Sequence, residues 1–275
     1  MAVCTQQCDK SQDRTAQYET SLWNCVQVAK SIFGSSLRTV IEIGARDCRE
    51  SIGFTELLPS ARVYAFECNP DTLDTCRRNV RDHPQIQLIE SAVADSCGIR
   101  SFFKTDPVQS RTLWPDGNPG ASSLFRASGK YPVEDYAQIE VSVPTTTLEK
   151  FVNDRKLQTI DLLWMDIQGS ELLALKGLGD SLSKVKLIHT EVEFLEIYEG
   201  QPLWRDLNRF LHSKNFALLK FTSFGRYSAD AIFINRKFHE GAPWPTSLIY
   251  FFHLSRHFLR ASARRINRCR GLAAK

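Results

Sequence analysis

Apolar and polar residues alternate along the chain in blocks that predict strands joined by helices. The runs at 39–44 and 62–67 are rich in β-branched and aromatic residues, as buried strands are. The segment at 71–82, which follows Pro70, has the amphipathic spacing of a surface helix. Further strands are predicted at 86–93, 160–167 and 185–194.

The last two apolar runs, at 216–224 and 230–235, lie too close together for a helical crossover between them. Strands this close in sequence pair as an antiparallel hairpin. The order of elements therefore predicts an α/β fold with a doubly wound, mostly parallel sheet and a C-terminal antiparallel hairpin.

Residues 104–138 interrupt this alternation of strands and helices. They are rich in Pro, Gly and Ser and are too long for an ordinary connection. Two interpretations stay open, a lid-like binding loop and an irregular surface insertion. With this insertion inside it, the segment at 38–240 is predicted as one domain, preceded by an N-terminal helical extension at 1–37.

Charge is distributed unevenly along the chain. The net charge is +4, but residues 241–275 contain six arginines, one lysine and no acid, which leaves the rest at about −3. Within this C-terminal segment, residues 246–270 place apolar side chains and arginines at helical spacing, which predicts a basic amphipathic helix. Peripheral contact with a membrane or another protein, packing on the domain, and a partly disordered tail all stay open.

Composition narrows the class of protein further. A mildly acidic body argues against a nucleic-acid enzyme, because phosphate contacts need Lys and Arg clustered at the cleft. The eight cysteines show neither paired CxxC motifs nor a compact disulfide spacing, which favours a reducing compartment. The first thirty residues lack the apolar segment of a secretory signal, and no run is long enough to span a bilayer. We therefore predict a cytoplasmic protein.

Candidate ligand-binding residues lie at the carboxyl ends of the first two strands, where open α/β sheets bind ligands. Gly44 ends the first strand and permits a sharp turn close to a ligand. Glu42 could anchor this turn or bind an ammonium group. Glu67 ends the second strand about twenty residues later, where a carboxylate can accept hydrogen bonds from both hydroxyls of a ribose. The spacing predicts a nucleoside that spans the two strand ends.

The turn also indicates which nucleoside cofactor fits. A dinucleotide site needs G-x-G-x-x-G to hold a pyrophosphate, and this turn has a single glycine. Asp47 and Glu50 would repel a diphosphate but would tolerate a cation. S-adenosylmethionine has an adenosine, a sulfonium and an ammonium group but no phosphate, so it fits these residues. The alternative is that Glu42 and Glu67 merely end strands in solvent.

Six sequence blocks follow one another between about residue 38 and residue 236: IEIGARDCRES, VYAFECNPDTLDTCRRN, ESAVAD, SVPTTTLEKFV, IDLLWMDIQGSELLALKG and HTEVEF…YEGQPLW. In this order they resemble the motifs of FkbM-type S-adenosylmethionine-dependent methyltransferases. The fifth block is the most specific, since the family shows a strand, then Asp-x-Glu-Gly-x-Glu, then a helix ending in Lys-Gly. The resemblance implies a Rossmann-like class I methyltransferase fold and S-adenosylmethionine as the cofactor.

The resemblance also implies roles for individual residues. Gly44 and Ala45 would cradle the methionine part of the cofactor, and Glu67 would hold the ribose. Asp166, at the end of the fourth strand, would face the transferring methyl group. The complete set of predicted cofactor-binding residues is Glu42, Gly44, Ala45, Asp47, Glu67, Cys68, Asn69, Ala92, Val93 and Asp166, of which Ala92 and Val93 would border the adenine.

Three positions depart from the family pattern. Arg46 stands where the family usually has Asn, Cys48 where it usually has Gly, and Gln168 where it usually has Glu. Cys48 bears on the shape of the turn because a non-glycine residue is reluctant to adopt a positive φ. Gln168 removes a charge near the presumed reaction centre, which puts acid-dependent steps and metal binding there in question.

Methyl transfer to a hydroxyl requires alignment, desolvation and a group that takes the hydroxyl proton. Alternation along the fifth strand places His189, Glu191 and Glu193 on one side. We predict Asp166 and Glu191 as acceptor-binding groups, with His189 as a candidate base or, alternatively, a structural residue. No metal is predicted, although one set of hard-cation ligands is conceivable: Asp166, Glu171, His189 and Glu191.

The predicted function is therefore methyl transfer from S-adenosylmethionine to a hydroxyl of a sugar or small-molecule acceptor. One rival is an NAD-dependent oxidoreductase, which the missing glycines disfavour. The other rival is a catalytically silent cofactor-binding or membrane-recruited adaptor, which the three departures and the basic C-terminal segment suggest.

Overall fold

The structure is a computed structural model that describes residues 20–239, and these contain ten strands and six α-helices. The strands are β1 (Thr39–Ile43), β2 (Arg62–Glu67), β3 (Ile86–Glu90), β4 (Ala92–Val93), β5 (Gly98–Thr105), β6 (Gln138–Thr146), β7 (Ile160–Met165), β8 (Val185–Glu193), β9 (Phe216–Phe224) and β10 (Ser228–Asn235). The helices are α1 (residues 20–33), α2 (Arg49–Leu57), α3 (Pro70–Asn79), α4 (Leu148–Asp154), α5 (Glu171–Lys176) and α6 (Trp204–Ser213).

Seven of these strands form the central sheet, in the order β3–β2–β1–β7–β8–β10–β9. β1 pairs in parallel with β2 and β7, and β8 continues the parallel arrangement next to β7. β10 runs antiparallel to both of its neighbours, β8 and β9. The predicted doubly wound, mostly parallel sheet with a C-terminal antiparallel hairpin is confirmed. Strand order reverses between β1 and β7, so their carboxyl ends meet at the position where such sheets bind ligands.

The prediction of one strand at 86–93 was wrong. β3 ends at Glu90, and after Ser91 the chain enters a second sheet as β4. This smaller sheet has the order β4–β6–β5. Its strands β5 and β6, which were not predicted from the sequence, flank the loop that contains most of residues 104–138. The sequence of β5 mixes exposed polar and buried aromatic residues without clean alternation, so its pattern gave little signal.

Helix α1 packs into the core of the central sheet. Its residues Cys25, Val26 and Ala29 are fully buried in the hydrophobic cluster that also contains Phe54 and Trp164. The rings of Phe54 and Trp164 meet edge to face at 5.6 Å between centroids. Residues that precede β1 therefore contribute to the hydrophobic core on one face of the central sheet.

Part of the sequence lies outside the described residues. The predicted basic amphipathic helix at 246–270 belongs to it, as do the first nineteen residues of the predicted N-terminal extension. Among residues 20–239, no helix is both long enough and apolar enough to cross a membrane.

Candidate active site

The turn after β1 brings three strand ends together. The backbone N–H groups of Gly44 and Ala45 both donate to the carbonyl oxygen of Phe66, each at 3.0 Å. Gly44 has a φ of +84°, and a Cβ atom there would lie 2.0 Å from the carbonyl oxygen of Asp166. Glycine is required at this position because any side chain would collide with the backbone that follows β7.

Two other residues of this turn adopt left-handed backbone conformations without being glycine. Arg46 has a φ of 50° and Cys48 a φ of 62°, which cost about 1 kcal/mol each. Cys48 thus adopts the positive φ that glycine, the usual residue of the family at this position, adopts without strain. Its thiol is buried against that of Cys76, whose Sγ lies 3.0 Å from the carbonyl oxygen of Arg46. The packing of α3 against the turn therefore opposes the strain.

Arg46 ties the turn to the long loop between β5 and β6. Its guanidinium forms an ion pair with Asp116 at 3.1 Å and lies over the ring of Trp114, 4.7 Å from the centroid. An asparagine at this position would be too short to reach either group. Arg46, which departs from the family pattern, thus links the turn after β1 to Trp114 and Asp116 of the loop.

Glu67 organises the loops after β1 and β2 through its buried carboxylate. It accepts three backbone hydrogen bonds, from the N–H groups of Arg46 at 2.7 Å, Cys68 at 2.7 Å and Asn69 at 2.6 Å. Burial raises the pKa of Glu67, and these hydrogen bonds oppose the rise because they favour the charged form. A carboxylate has about four lone-pair positions, so capacity remains for a ligand hydroxyl.

A small cleft of about 60 Å³ opens beside Glu67. Cys68, Ala92, Val93 and Ile167 contribute apolar walls, and the Oγ atom of Ser170 is buried there without a hydrogen-bond partner in the structure. Ser170 stands at the N-terminus of α5, yet its hydroxyl makes no capping bond. A narrow apolar cleft with one uncommitted hydroxyl fits the flat, hydrogen-bonding ring of an adenine.

A larger cavity of about 1050 Å³ adjoins the small cleft. The ends of three neighbouring strands form one side of this cavity. Its lining residues there are Gly44 and Asp47 after β1, Trp164 and Asp166 at the end of β7, and Glu191 in β8. The loop between β5 and β6 closes one side with aromatic and acidic side chains, and α1 adds two apolar ones: Trp114, Asp116, Tyr131, Glu134 and Tyr136 from the loop, and Leu22 and Trp23 from α1.

The cavity wall is strongly acidic. Burial raises the pKa of Glu42, and the carboxylate of Glu50 raises it further. Burial also raises the pKa of Glu50 to about 7 and that of Asp166 to about 6, and the pKa of Glu191 rises well above its usual range. Within residues 20–239, no arginine or lysine forms an ion pair with any of these four acids. Such a cavity favours a cationic ligand over a diphosphate.

His189 lies away from this cavity. Its ring stacks on Trp164 with centroids 3.7 Å apart, and its Nε2 atom lies 3.2 Å from the hydroxyl of Ser21 and 3.1 Å from that of Thr222. Burial lowers the pKa of His189 to about 3, so the ring is neutral at physiological pH and a weak base. These contacts fit a structural role behind the cavity wall.

The structure brings most of the residues predicted from the sequence into two adjoining spaces. The large cavity is lined by Glu42, Gly44, Asp47, Asp166 and Glu191, and the small cleft by Gly44, Glu67, Cys68, Asn69, Ala92, Val93 and Asp166. Ala45 is buried beneath the turn and lines neither space. Among the described residues, no group of three His, Cys, Asp or Glu side chains is arranged to hold a metal ion.

Sequence reasoning missed two features of the site. Ser170 was not predicted, because only the three-dimensional structure shows that the hydroxyl of this serine, at the start of a helix, does not cap that helix. The aromatic residues Trp114, Tyr131 and Tyr136 were included in the predicted loop but were not assigned to a cavity. Their sequence spacing has no period that marks a binding wall.

The seven-stranded sheet, with a glycine turn after β1 and an acid at the end of β2, has the class I methyltransferase fold. The chain matches the Methyltransferase FkbM domain over residues 42–218, which is more than half of its length. It therefore belongs to the FkbM methyltransferase family, whose methyl donor is S-adenosylmethionine. The resemblance of the six sequence blocks to this family is confirmed.

Two curated methyltransferases are similar to the chain in sequence. The chain is 29% identical over 171 residues to 2-O-methyltransferase NoeI of Sinorhizobium fredii (strain NBRC 101917 / NGR234), which covers 59% of this chain and 66% of NoeI. It is 24% identical over 239 residues to methyltransferase sdnD of Sordaria araneosa, which covers 76% of this chain and 88% of sdnD. The chain thus spans slightly less than two thirds of the length of NoeI.

The chain is also similar to the magnesium protoporphyrin IX methyltransferase (ChlM) from Synechocystis PCC 6803, solved with bound SAM. The two share 12% identity and a TM-score of 0.44 over 82% of each chain.

Proposed function

We propose that this protein transfers a methyl group from S-adenosylmethionine to a hydroxyl of a small-molecule acceptor, with a sugar as the preferred acceptor class. The observation that carries the proposal is the acidic cavity of about 1050 Å³, in which the Gly44 turn, Asp166 and Glu191 face one space. The similarity to NoeI, a 2-O-methyltransferase, supports oxygen as the methylated atom. The family membership supports this function over the oxidoreductase and adaptor alternatives.

The chain offers a binding group for each part of the donor. Glu67 accepts one ribose hydroxyl, since three backbone N–H groups already occupy its other positions, and the cleft at Ser170 takes the adenine. The Gly44 turn borders the methionine part, where the acidic wall favours its ammonium group. When bound, S-adenosylmethionine supplies a methyl group on a positively charged sulfur, which leaves as a neutral thioether. The unpartnered Ser170 hydroxyl and the acids without ion pairs are the structural features that fit this donor.

The acceptor side of the cavity suits a polyhydroxylated ring. The rings of Tyr131 and Tyr136 have centroids 6.1 Å apart, and Trp114 lines the same cavity. Aromatic rings pack against the apolar faces of sugars, and carboxylates accept hydrogen bonds from sugar hydroxyls. Asp166 or Glu191 accepts the proton of the reacting hydroxyl as its oxygen bonds to the methyl carbon, and the proton then passes to solvent.

Two measurements test this function. Thermal unfolding is followed with S-adenosylmethionine, S-adenosylhomocysteine or NAD, and we expect the first two alone to raise the midpoint, because a ligand that binds the native state stabilises it. Release of S-adenosylhomocysteine is then measured with a panel of neutral sugars, sugar phosphates, non-sugar alcohols, simple amines and carboxylic acids. A midpoint raised by NAD alone, or turnover restricted to amine or carboxylate acceptors, would contradict the proposal.

Ser170→Ala is expected to weaken the binding of S-adenosylhomocysteine by about 5- to 10-fold, the value of about one hydrogen bond. The hydroxyl has no partner to lose within the structure, so the free energy of unfolding should change little. Isothermal titration calorimetry checks the affinity, with Ser213→Ala, on the surface of α6, as the matched control. Equal affinity in Ser170→Ala and the wild type would remove Ser170 from the donor site.

The predicted peripheral contact through residues 246–270 stays part of this proposal, because that segment lies outside the described residues. Its arginines and apolar residues recur at helical spacing, which favours binding to an anionic membrane surface. Co-sedimentation with phosphatidylserine vesicles, against phosphatidylcholine vesicles as the control, tests it for the full chain.

A further inference from the structure

Gln168 lies between β7 and α5 in a backbone conformation that glutamine seldom adopts. Its φ is 53°, and that of Gly169 is 92°. The turn is held from two sides: the Ser123 hydroxyl donates to the carbonyl oxygen of Gln168 at 2.7 Å, and the Glu171 carboxylate accepts from the N–H of Ile167 at 3.2 Å. A conformation that costs about 1 kcal/mol is thus maintained, and it directs the side chain into the cavity.

The side-chain amide of Gln168 joins the two acids that face the acceptor. Its Nε2 atom lies 2.7 Å from Oδ1 of Asp166 and 2.9 Å from Oε2 of Glu191. Its Oε1 atom lies 2.9 Å from the hydroxyl of Tyr198, which is also 2.7 Å from the carbonyl oxygen of Ala121. A primary amide has two N–H donors for the two carboxyls and one acceptor oxygen for the Tyr198 hydroxyl, whose single proton is shared with the carbonyl oxygen of Ala121.

Glutamate, which the family usually has at this position, could not form the same arrangement. An ionised carboxylate would have no N–H to donate and would place a third negative charge against Asp166 and Glu191. Like charges this close hold a proton between them instead of ionising together. The departure at Gln168 therefore changes the chemistry of the pair as well as its geometry.

The charged groups around the pair are mostly acids. Burial is the largest influence on both carboxyls, and it raises the pKa of Asp166 to about 6 and that of Glu191 well above its usual range. Arg46 is a cation that acts on Asp166 in the opposite sense. The other titratable groups that face the pair come from α2, α5, β8, β10 and the neighbouring loops: Glu50, Glu171, Glu193, Asp230, Tyr136 and Tyr198.

We propose that Gln168 is a positioning residue, which holds Asp166 and Glu191 side by side as a pair that shares one proton and connects this pair through Tyr198 to the loop at Ala121. The inference rests on the proposed function and adds to it the protonation state of the two carboxyls that take the acceptor's proton. One carboxyl of the pair stays protonated and donates to the acceptor, while the other is ionised and takes the proton of the acceptor hydroxyl.

The test is the pH profile of kcat/KM for S-adenosylhomocysteine release, with an acceptor from the panel, between about pH 5 and pH 9. The wild-type profile should fall below about pH 6, where the ionised member of the pair gains a proton. In Gln168→Glu the fall should move to higher pH by about one unit or more, because the added carboxyl disfavours ionisation. A shift of one unit lowers kcat/KM at pH 6 by about 5-fold and leaves a much smaller loss at pH 9.

Two controls separate positioning from a general structural effect. Gln158→Glu makes the same change on the exposed surface and should leave the profile in place. Carbon-13 NMR of protein labelled at the aspartate carboxyls gives a readout that needs no acceptor, with the Asp166 signal assigned from Asp166→Asn. The titration midpoint of Asp166 should rise in Gln168→Glu and in Gln168→Leu, which loses both N–H donors.

A uniform loss of activity at every pH, with the Asp166 midpoint unmoved in both variants, would overturn the inference. If Gln168→Glu does not fold, Gln168→Leu decides by the same titration. Failure of the proposed function is distinguishable, since it shows as a wild-type protein that neither binds S-adenosylmethionine nor releases S-adenosylhomocysteine. The NMR titration would still report whether Gln168 controls the pair.

Discussion

Gly44→Ala is expected to remove detectable binding of S-adenosylhomocysteine, a loss of at least about 100-fold, and to lower the free energy of unfolding by about 2–4 kcal/mol. The added Cβ would lie 2.0 Å from the carbonyl oxygen of Asp166, which is backbone and cannot rotate away. β1 and β7 must therefore separate at their carboxyl ends, which displaces Asp166 and the turn that Glu67 holds through the N–H of Arg46. Calorimetry and chemical denaturation measure the two effects.

Gly34→Ala is the matched control for this variant. Gly34 has a φ of +70°, close to the +84° of Gly44, but a Cβ there would meet no atom within 4 Å. The control therefore carries the cost of the left-handed backbone, about 1 kcal/mol, without the collision. If the two variants lose the same stability and Gly44→Ala still binds the ligand, the close approach of β1 and β7 is not what the site depends on.

Asp166→Asn is expected to lower kcat by about 100-fold or more while S-adenosylhomocysteine binds within a few-fold of the wild-type affinity. The substitution keeps the shape of the side chain and removes its ability to accept a proton. The pair would then have Glu191 as its remaining carboxyl, so residual activity should depend on pH differently from the wild type. Single-turnover kinetics with saturating donor separates this loss from weaker binding.

Asp154→Asn, on the exposed end of α4, is the control for the charge change. It should leave kcat unchanged, since Asp154 is exposed, does not line the cavity or the cleft, and pairs with Lys150. Unchanged turnover in Asp166→Asn would exclude Asp166 as the proton acceptor and leave Glu191 as the candidate.

The strands and their ends could be predicted from sequence because their signals are local. A buried parallel strand is a short apolar run, and a glycine or an acid just past it marks a ligand edge, as Gly44 and Glu67 do. The second sheet could not be predicted in the same way, since β5 and β6 pair with each other across more than thirty residues of loop and carry mixed polar and apolar side chains.

Much of the site depends on contacts that no local pattern records. Gln168 appeared from the sequence as a lost charge, whereas its contacts with Tyr198 and Asp166 give the amide a use that a carboxylate lacks. His189 shares a strand face with Glu191 in the alternation, yet α1 covers it through Ser21. Which polar residue of a strand meets solvent, ligand or another helix is decided by what packs over it.

Helix α1 sets a practical limit on where the gene can be trimmed. The match to the family domain begins at residue 42, but the side chain of Leu22 lies 2.5 Å from where a Cβ atom on Gly53 would stand, and Trp23 lines the large cavity. An expression clone that starts at residue 42 would lack Cys25 and Val26, which are fully buried against the sheet. The apolar face that they cover would then be exposed to solvent and would favour self-association. Cloning for crystallography or assay should keep every residue from the start of α1.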